Sequence, residues 1–257
     1  MVFYSEFSSD NNIDDFKEIF NNSKVVKIHT NFSSMDEVDN YFRLLAQKLG
    51  IPIIYEEDPI SGKILPNKWT EIKYEKAKEF DTYKHSNKFQ PLHTDYGYFS
   101  FEIYTSFFYC ISQAKFGGAT TFIDAETVVD ILKDSDKELF DLLVKTPIHF
   151  GRKDNPLTNF TDCILSKSET GWRINWNYYR ALSDKNNILL VERFKYFLDN
   201  NIEKSGELLA LKLKPSEGVF FKDRMVLHGR NSFIGERQLN KGGIALNIPN
   251  EIFQYIK

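Results

Sequence analysis

Short segments rich in β-branched and aromatic residues recur between residues 99 and 248, and turn residues separate them. A run from 99 to 114 and a stretch that ends at Phe122 flank a Gly-Gly turn, which predicts a hairpin-like pair of strands. Many short strands at this spacing favour a mainly β fold, an antiparallel double-sheet jelly roll. Further strands are predicted near Ile148 and Cys163 and over Arg173–Trp176, Leu208–Leu213, Val219–Lys222 and Gly243–Ile248.

Helices are expected to flank this β core or to be inserted into it. Ser34 is placed to cap a helix that ends at Gly50, because apolar residues recur between them at helical spacing. A short strand over Val25–His29 precedes that helix. The overall pattern is that of a double-stranded β-helix core with flanking and inserted α-helices. Three more helices are predicted, over Val128–Leu132, Glu138–Val144 and Ile188–Ile202.

The length of 257 residues is compatible with one domain, and no repeat or Pro/Gly-rich linker marks a boundary. We expect a single domain over residues 1–257, with a mixed α/β segment at about 1–85 and the jelly-roll core at about 86–257. The first residues do not combine a basic segment with a long apolar one, and no window approaches about 18 apolar residues. These features predict a cytoplasmic protein without a membrane partner.

The charge balance limits the classes of partner. The formal net charge is −3 and the sequence pI is near 6.0, with acidic and basic residues interspersed. Because a nucleic-acid-binding surface needs a basic stripe, we expect no nucleic-acid partner. Cys110 and Cys163 are isolated in sequence, which favours buried thiols over a disulfide. The sequence leaves the oligomeric state open.

Three residues have the types and spacing of a metal site. His93 and Asp95 stand two positions apart, so a strand would direct both to one side while Thr94 faces away. His228, in a later strand-like segment, would bring a second imidazole. Two imidazoles and one carboxylate leave adjacent coordination positions open, which suits non-heme Fe(II) that binds a cosubstrate and O2 together.

Sequence context decides what this triplet means, because about 0.7 His-x-Asp/Glu triplets are expected by chance in a chain of this composition. Four blocks in order supply the context: Phe89–Tyr98, Phe116–Asp124, His228–Phe233 and Arg237–Lys241. Together they resemble the taurine dioxygenase/clavaminate synthase-like group of Fe(II)- and 2-oxoglutarate-dependent oxygenases, over roughly residues 86–248. The alternatives are a structural histidine or a triad that binds another metal.

The resemblance implies that His93, Asp95 and His228 bind Fe(II), with no catalytic residue beyond these ligands. It implies that 2-oxoglutarate and O2 are converted to succinate and CO2 while an unactivated C–H bond of the substrate is oxidised. Hydroxylation is the expected outcome, and desaturation or ring formation is the alternative. The carboxylate of Asp95 argues against halogenation, because related halogenases have a small residue at this position.

The resemblance assigns Thr120 and Arg237 to 2-oxoglutarate. In the family, a threonine after the Gly-Gly turn contacts the distal carboxylate of the cosubstrate; Thr121 competes with Thr120, since a shift by one residue exchanges the faces of a strand. A planar, permanently charged guanidinium can bind a carboxylate at two points. The interval between the second metal histidine and Arg237 is shorter than in the family, so Arg230 is an alternative, although bracing its own loop suits it better.

The residues expected to bind the primary substrate begin with Lys241. In several enzymes of the resembling group, a basic residue four positions after the cosubstrate arginine binds a substrate anion, and an even spacing puts both on one face of a strand. A solvated lysine beside a turn is the alternative, because Asn240, Gly242 and Gly243 favour turns. A functional Lys241 predicts a small anionic, amino-acid-like metabolite in a biosynthetic route. Further candidates for the pocket are Gln90, Tyr98, Arg173, Asn175 and Tyr178.

Two other functions stay open at this point. One is a binding or regulatory protein that keeps the jelly roll and the triad without turnover, and the other is an enzyme that uses the triad and O2 without a 2-oxo acid. The presence of Asp95, His228 and Arg237 argues against the first function. Arg237 together with Thr120 argues against the second.

Overall fold

The computed structural model describes residues 1–57, 64–79, 82–151, 159–182 and 187–250, and within them the chain is mainly β. The α-helices of these ranges are α1 (Asp15–Asn21), α2 (Met35–Leu49), α3 (Ala125–Ser135), α4 (Lys137–Lys145) and α5 (Ile188–Phe197), and a π-helical turn, Leu198–Ile202, continues α5. The strands are β1 (Val2–Ser8), β2 (Ser23–His29), β3 (Ile51–Ile53), β4 (Tyr55–Glu57), β5 (Ile64–Pro66), β6 (Thr70–Lys73), β7 (Gln90–His93), β8 (Ile103–Ser112), β9 (Phe116–Gly117), β10 (Thr120–Asp124), β11 (Pro147–Gly151), β12 (Asn159–Cys163), β13 (Leu165–Ser168), β14 (Gly171–Ile174), β15 (Leu209–Leu211), β16 (Gly218–Lys222), β17 (Val226–Arg230), β18 (Phe233–Ile234) and β19 (Gln238–Ala245).

Two sheets form the centre of the fold. The larger sheet has the strand order β1-β2-β16-β8-β19-β3, with β6 also paired to β19, and all its pairings except the parallel β1–β2 pair are antiparallel. The smaller sheet has the order β15-β10-β17-β7 and is antiparallel throughout. Strands from the first 85 residues therefore pair with strands from the last 40, and the chain crosses between the sheets repeatedly.

The inner faces of the two sheets share one buried apolar cluster. Phe108 on β8 and Phe221 on β16 meet Phe122 on β10 and Val226 on β17 in it. Side chains alternate along each strand, so the residues next to them face outward. Thus Leu227, the neighbour of Val226, packs into a different cluster on the outer face of the smaller sheet.

Helices cover both outer faces. Helices α1 and α2 pack on the larger sheet, where Phe16 and Phe42 meet Phe107 and Phe220. Helices α3, α4 and α5 cover the smaller sheet. The arrangement has four layers, helix, sheet, sheet and helix, and each apolar strand face is thereby buried. No helix in the described ranges is both long enough and apolar enough to cross a membrane.

The predicted helix after Ser34 is confirmed, including its cap. The Ser34 hydroxyl accepts a hydrogen bond from the amide of Glu37, whose carboxylate accepts one from the amide of Ser34, and the helix ends before Gly50. The strand predicted over Val25–His29 is β2. The helix predicted over Ile188–Ile202 is α5 followed by the π-helical turn.

The predicted hairpin around the Gly-Gly turn is wrong. β8 lies in the larger sheet and β10 in the smaller one, so the two strands do not pair. Gly117 and Gly118 both have positive φ, which lets the backbone leave one sheet and enter the other. A side chain at Gly117 would also lie 3.1 Å from the Cα of Phe233 on the adjoining strand β18.

Replacing Phe220 by Ala should lower the free energy of unfolding by about 3–5 kcal/mol, because it empties the centre of an aromatic cluster. The Phe220 ring is fully buried and stacks on Phe107 with ring centroids 4.6 Å apart. Urea unfolding followed by fluorescence measures the loss. The control is Phe116→Ala. Because the Phe116 ring is 59% exposed, this variant should lose less than about 1 kcal/mol of the free energy of unfolding. Equal losses for the two variants would contradict this assignment of the core.

Candidate metal centre

Strand pairing in the smaller sheet brings two histidines together. His93, the last residue of β7, lies directly opposite His228 in the middle of β17, and their ring centroids are 4.2 Å apart. On β17, His228 shares its face with Val226, so its imidazole points between the sheets. Phe221 packs on that imidazole at 4.8 Å, which shields it from solvent.

Asp95 lies in the bend just after β7 rather than in a strand. Its neighbour Thr94 turns away, as predicted, and its hydroxyl donates to the carbonyl of Trp176 at 3.0 Å. The carboxylate of Asp223 accepts hydrogen bonds from the backbone amides of Asp95 and Tyr96, at 2.8 and 2.9 Å. The bend is therefore held by a carboxylate that is itself fully buried.

The Asp95 carboxylate faces both imidazoles. Its Oδ1 is 3.7 Å from Nε2 of His93, and its Oδ2 is 3.5 Å from Nε2 of His228. Ser106, on the inner face of β8, donates its hydroxyl to Oδ2 at 2.6 Å. A side chain from the larger sheet thus orients the carboxylate of the smaller one.

The protonation states of Asp95 and His228 suit a metal ion. Burial lowers the pKa of His228 to about 3, so its imidazole is neutral. Burial alone would raise the pKa of Asp95, but the positive charge of Lys241 outweighs it and holds that pKa well below its usual range. One ligand atom from each of His93, Asp95 and His228 lies within 4.8 Å of the others. Neutral imidazoles and an ionised carboxylate are the donors that Fe(II) takes in a facial triad, so these residues fit that metal.

The edge position of β7 leaves backbone amides unpaired by the sheet. Glu203, just after the π-helical turn, receives a long hydrogen bond of 3.4 Å from the amide of Leu92. Burial raises the pKa of Glu203. The strand that ends in His93 is therefore bordered by a carboxylate from the helical layer.

Lys241 lies on the inner face of β19, and its ammonium is 2.6 Å from Oδ1 of Asp95. The turn that Gly242 and Gly243 favour in the sequence does not form, because β19 continues to Ala245. The two glycines instead admit neighbouring side chains: a Cβ at Gly242 would lie 2.7 Å from the Phe107 ring. Lys241 is therefore in the cavity and beside the triad.

Arg237 and Thr120 lie next to each other at the cavity. Arg237 is 4% exposed and donates to the carbonyl of Gly118 at 3.1 Å and to the Thr120 hydroxyl at 3.5 Å. Burial lowers its pKa to about 9. No carboxylate of the described residues forms an ion pair with Arg237. Thr120 lines the cavity and Thr121 does not.

Arg230 binds backbone carbonyls of a neighbouring segment. Its guanidinium donates to the backbone carbonyls of Tyr83, Ser86 and Lys88 at 3.1, 2.8 and 2.8 Å. These bonds tie β17 to the segment that precedes β7. The expectation that Arg230 braces a loop agrees with this geometry.

The residues around the triad line a cavity of about 710 Å³. Gln90 and Tyr98 belong to its wall, as does Tyr178, and the Gln90 side-chain amide lies 3.1 Å from Nε2 of His93. Much of the remaining wall comes from the described residues between 55 and 88, most of which belong to the expected flanking segment. No periodic pattern in that segment pointed to the cavity. The sequence reasoning also missed Ser106 and Asp223, which act on Asp95 through space.

The expectation that Arg173 and Asn175 face the substrate pocket is not met, since neither lines the cavity. Strand β14 alternates, so its Trp172 and Ile174 pack on the outer cluster while Arg173 turns the other way and pairs with Glu102. Asn175 is 3% exposed, and its side-chain amide packs against Gly97.

A comparison with protein families matches residues 2–242 to the family described as taurine catabolism dioxygenase TauD, TfdA family. The chain belongs to this family. Curated relatives of this TauD/TfdA member include the mitochondrial trimethyllysine dioxygenases of Gallus gallus and Mus musculus, at 28% and 29% identity over 163 residues. Each alignment covers 57% of this chain, which spans only 38% of the length of either relative.

Solved structures share the fold of this TauD/TfdA member. The non-heme iron oxygenase OrfP, in complex with Fe and alpha-ketoglutaric acid, superposes with a TM-score of 0.65 at 14% identity, covering 91% of this chain and 78% of its own. An asparagine oxygenase in complex with Fe(II), 3-hydroxyasparagine and succinate gives a TM-score of 0.66 at 12% identity, with the same two coverages. At such identities the likeness establishes the fold alone.

Replacing His93 or His228 by Ala should weaken Fe(II) binding by more than about tenfold. Mutating a residue that only hydrogen-bonds to a metal ligand already lowers metal affinity by about tenfold or more, and these variants remove a ligand itself. The chain should stay folded, but His228→Ala should lower the thermal unfolding midpoint more than His93→Ala, because Phe108, Phe122 and Phe221 surround the His228 ring. Anaerobic equilibrium dialysis measures the iron, and calorimetry the midpoint. His149→Ala is the matched control, because His149 binds Thr161 on β12, away from the triad. Wild-type iron binding in either triad variant would disprove the assignment.

Proposed function

We propose that this protein is an Fe(II)- and 2-oxoglutarate-dependent oxygenase that hydroxylates an unactivated C–H bond of a small anionic, amino-acid-like metabolite and releases succinate and CO2. The observation that carries the proposal is the convergence of His93, Asp95 and His228 beside Arg237 in one cavity. Membership of the TauD/TfdA family supports the same chemistry.

In this proposal His93, Asp95 and His228 hold the iron, and Ser106 and Asp223 keep the carboxylate in place. When bound, Fe(II) with 2-oxoglutarate and O2 supplies the oxidant for the C–H bond. The protein positions the residues that hold the iron and excludes water from one side of them. Phe108, Phe122 and Phe221 surround the His228 ring within 6.2 Å and leave it dry on the side away from the cavity.

We assign Arg237 and Thr120 to the distal carboxylate of 2-oxoglutarate. Arg237 is an almost fully buried cation whose guanidinium donates hydrogen bonds only to neutral oxygens among the described residues. A carboxylate can accept two parallel hydrogen bonds from such a group, and low local polarity strengthens the pair. The Thr120 hydroxyl adds a third donor at the same place.

The two-sheet arrangement supports a double-stranded β-helix as the scaffold of this site. The two sheets pack face to face through one cluster, and their consecutive strands alternate between sheets on either side of the Gly-Gly crossover. In such a jelly roll the metal site lies between the sheets, where strands of both contribute residues. We propose one domain that includes the first 85 residues, because β1, β2, β3 and β6 complete the larger sheet.

We assign Lys241 to an anionic group of the primary substrate. Its ammonium is at the triad and points into the cavity, and the Tyr96 ring lies 4.8 Å away as a platform for the cation. The relatives act on amino acids by name, as trimethyllysine dioxygenases, and OrfP has been solved with hydroxylated arginine. An amino-acid-like substrate is consistent with both.

An anaerobic titration of the Fe(II)-loaded chain with 2-oxoglutarate tests the proposal. Chelation of the 2-oxo acid by iron should produce a weak metal-to-ligand charge-transfer band in the visible spectrum. Substrate-dependent formation of succinate under air would then establish turnover. A chain that binds iron without developing the band would be an oxygenase of another kind or a binding protein.

Replacing Arg237 by Gln should raise the 2-oxoglutarate concentration for half-maximal band intensity strongly, because one charge-assisted pair in a dry site contributes about 2–4 kcal/mol. Thr120→Val should have a smaller effect in the same direction. Fe(II) binding should stay as in the wild type for both variants. An unchanged 2-oxoglutarate dependence of Arg237→Gln would transfer the role to another residue.

Replacing Lys241 by Met should raise the KM for the substrate by about 10- to 100-fold, since a hydrogen-bonded charge pair is lost. Binding of 2-oxoglutarate should be retained. The measurement is a screen of free amino acids and short-chain acids for substrate-triggered succinate release, in the wild type and the variant. Equal substrate dependence in both, or turnover of uncharged compounds only, would refute the assignment.

A further inference from the structure

Arg180 is a further cation on the cavity wall, and no motif in the sequence pointed to it. It closes the 3-10 turn Tyr178–Arg180 that follows strand β14, and its half-buried side chain lines the cavity that holds the triad. It therefore enters the cavity from an element different from β19, which carries Arg237 and Lys241.

The guanidinium of Arg180 differs from the other cations of the cavity in its partners. Lys84 pairs with Glu56 at 2.5 Å, and Lys241 pairs with Asp95 at 2.6 Å. In the described part of the chain, Arg180 has neither a carboxylate within ion-pair distance nor a side-chain hydrogen bond. Its guanidinium carbon lies over the face of the Tyr98 ring, 5.2 Å from the centroid.

The contact with Tyr98 uses none of the guanidinium N–H donors, which form no hydrogen bond with the described residues. An aromatic face attracts a guanidinium through its ring electrons and not by accepting a conventional hydrogen bond. The free donors match the two oxygens of a carboxylate. The ring contact also restricts the side chain before a ligand arrives, which lowers the entropy lost on binding.

The turn that carries Arg180 is fastened at both sides. The amides of Arg180 and Ala181 donate to the carbonyl of Asn177 at 2.9 and 3.0 Å. Ala181 forms a bridge with Phe150, and the amide of Leu182 donates to the carbonyl of His149 at 2.7 Å. The backbone position of Arg180 is thus set by strand β11 and does not depend on a ligand.

The charges of the loaded site leave Arg180 without compensation. Iron(II), the Asp95 carboxylate, Arg237 and the 2-oxoglutarate dianion together are neutral. Lys84 is paired with Glu56, so Lys88, Arg180, Arg230 and Lys241 then remain as cations of the cavity wall, against Glu79 as a carboxylate outside any ion pair of the described residues. The excess positive charge favours an anionic ligand.

We propose that Arg180 binds an anionic group, a carboxylate, of the primary substrate and so selects acids over their uncharged derivatives. The inference rests on the proposed oxygenase function, which it deepens by assigning a second anion-binding residue beside Lys241. Cosubstrate binding belongs to Arg237 and is independent of Arg180.

The test compares ligand binding by the full chain and by Arg180→Met and Arg180→Lys. The probes are the twenty common amino acids, trimethyllysine and succinic and glutaric acids, each beside its carboxamide. Calorimetry is run on the protein without metal and on the anaerobic Fe(II)-2-oxoglutarate form, where a shift of the charge-transfer band gives a second readout. Arg173→Met is the matched control, because Arg173 is paired with Glu102 outside the cavity.

We expect at least one free acid to bind the wild type, and Arg180→Met to weaken that binding by about 10- to 100-fold. Arg180→Lys should fall between them, because it keeps the charge and loses the planar fork. The carboxamide should bind the wild type and Arg180→Met equally weakly, and the dissociation constant of 2-oxoglutarate should not change in any variant.

The proposal is overturned if the best acid binds Arg180→Met as it binds the wild type, or if no acid of the panel binds. It is also overturned if Arg180→Met no longer binds 2-oxoglutarate, or if Lys241→Met weakens binding of the acid while Arg180→Met does not. Failure of the wild type to bind iron or to form the charge-transfer band counts against the oxygenase function alone, since calorimetry without metal still measures the contribution of Arg180.

Discussion

The site depends on the alternation of side chains along β17, a strand buried on both faces. Leu227 packs against the helices on the outer face of the smaller sheet, whereas Val226 packs between the sheets. Because side chains alternate along a strand, His228 and Arg230 also point between the sheets. A shift of one residue would bury Arg230 and His228 among the apolar side chains of α3 to α5 and expose Leu227 to the cavity. Packing on the two faces therefore fixes the register that places an imidazole opposite His93.

The buried carboxylate of Asp223 positions the third residue of the triad, Asp95. Asp223 accepts two backbone amides at the bend after β7, and burial together with the charge of Asp95 raises the pKa of Asp223 to about 6. Two good hydrogen bonds offset part of the cost of burying that group. The two hydrogen bonds to Asp223 hold the backbone of Asp95 and Tyr96. Asp223 therefore positions both the triad carboxylate and the ring over which the Lys241 ammonium lies.

The sequence predicted the local features well and the contacts between distant segments poorly. The cap at Ser34 follows from residue type and spacing, which neighbouring residues determine, whereas the choice of Thr120 and Lys241 as cavity residues came from the family resemblance. The partner of β8 does not, because strands on either side of a Gly-Gly crossover can pair or separate with the same local pattern. Ser106 and Arg180 have ordinary local sequences, and only the assembled fold brings them to Asp95 and to the cavity. Arg173 was misplaced because strand alternation alone does not say which face is inward.

The carboxylate beside β7 has a consequence for the state of the protein in a crowded solution. An edge strand offers unpaired amides to any other extended chain, and this edge ends at His93. Glu203 occupies one of those amides, at Leu92, and brings a carboxyl group that an incoming strand would have to displace. The smaller sheet is thereby protected against growth by a further strand at the edge where His93 stands, and intermolecular β-pairing is discouraged beside the His-Asp-His triad.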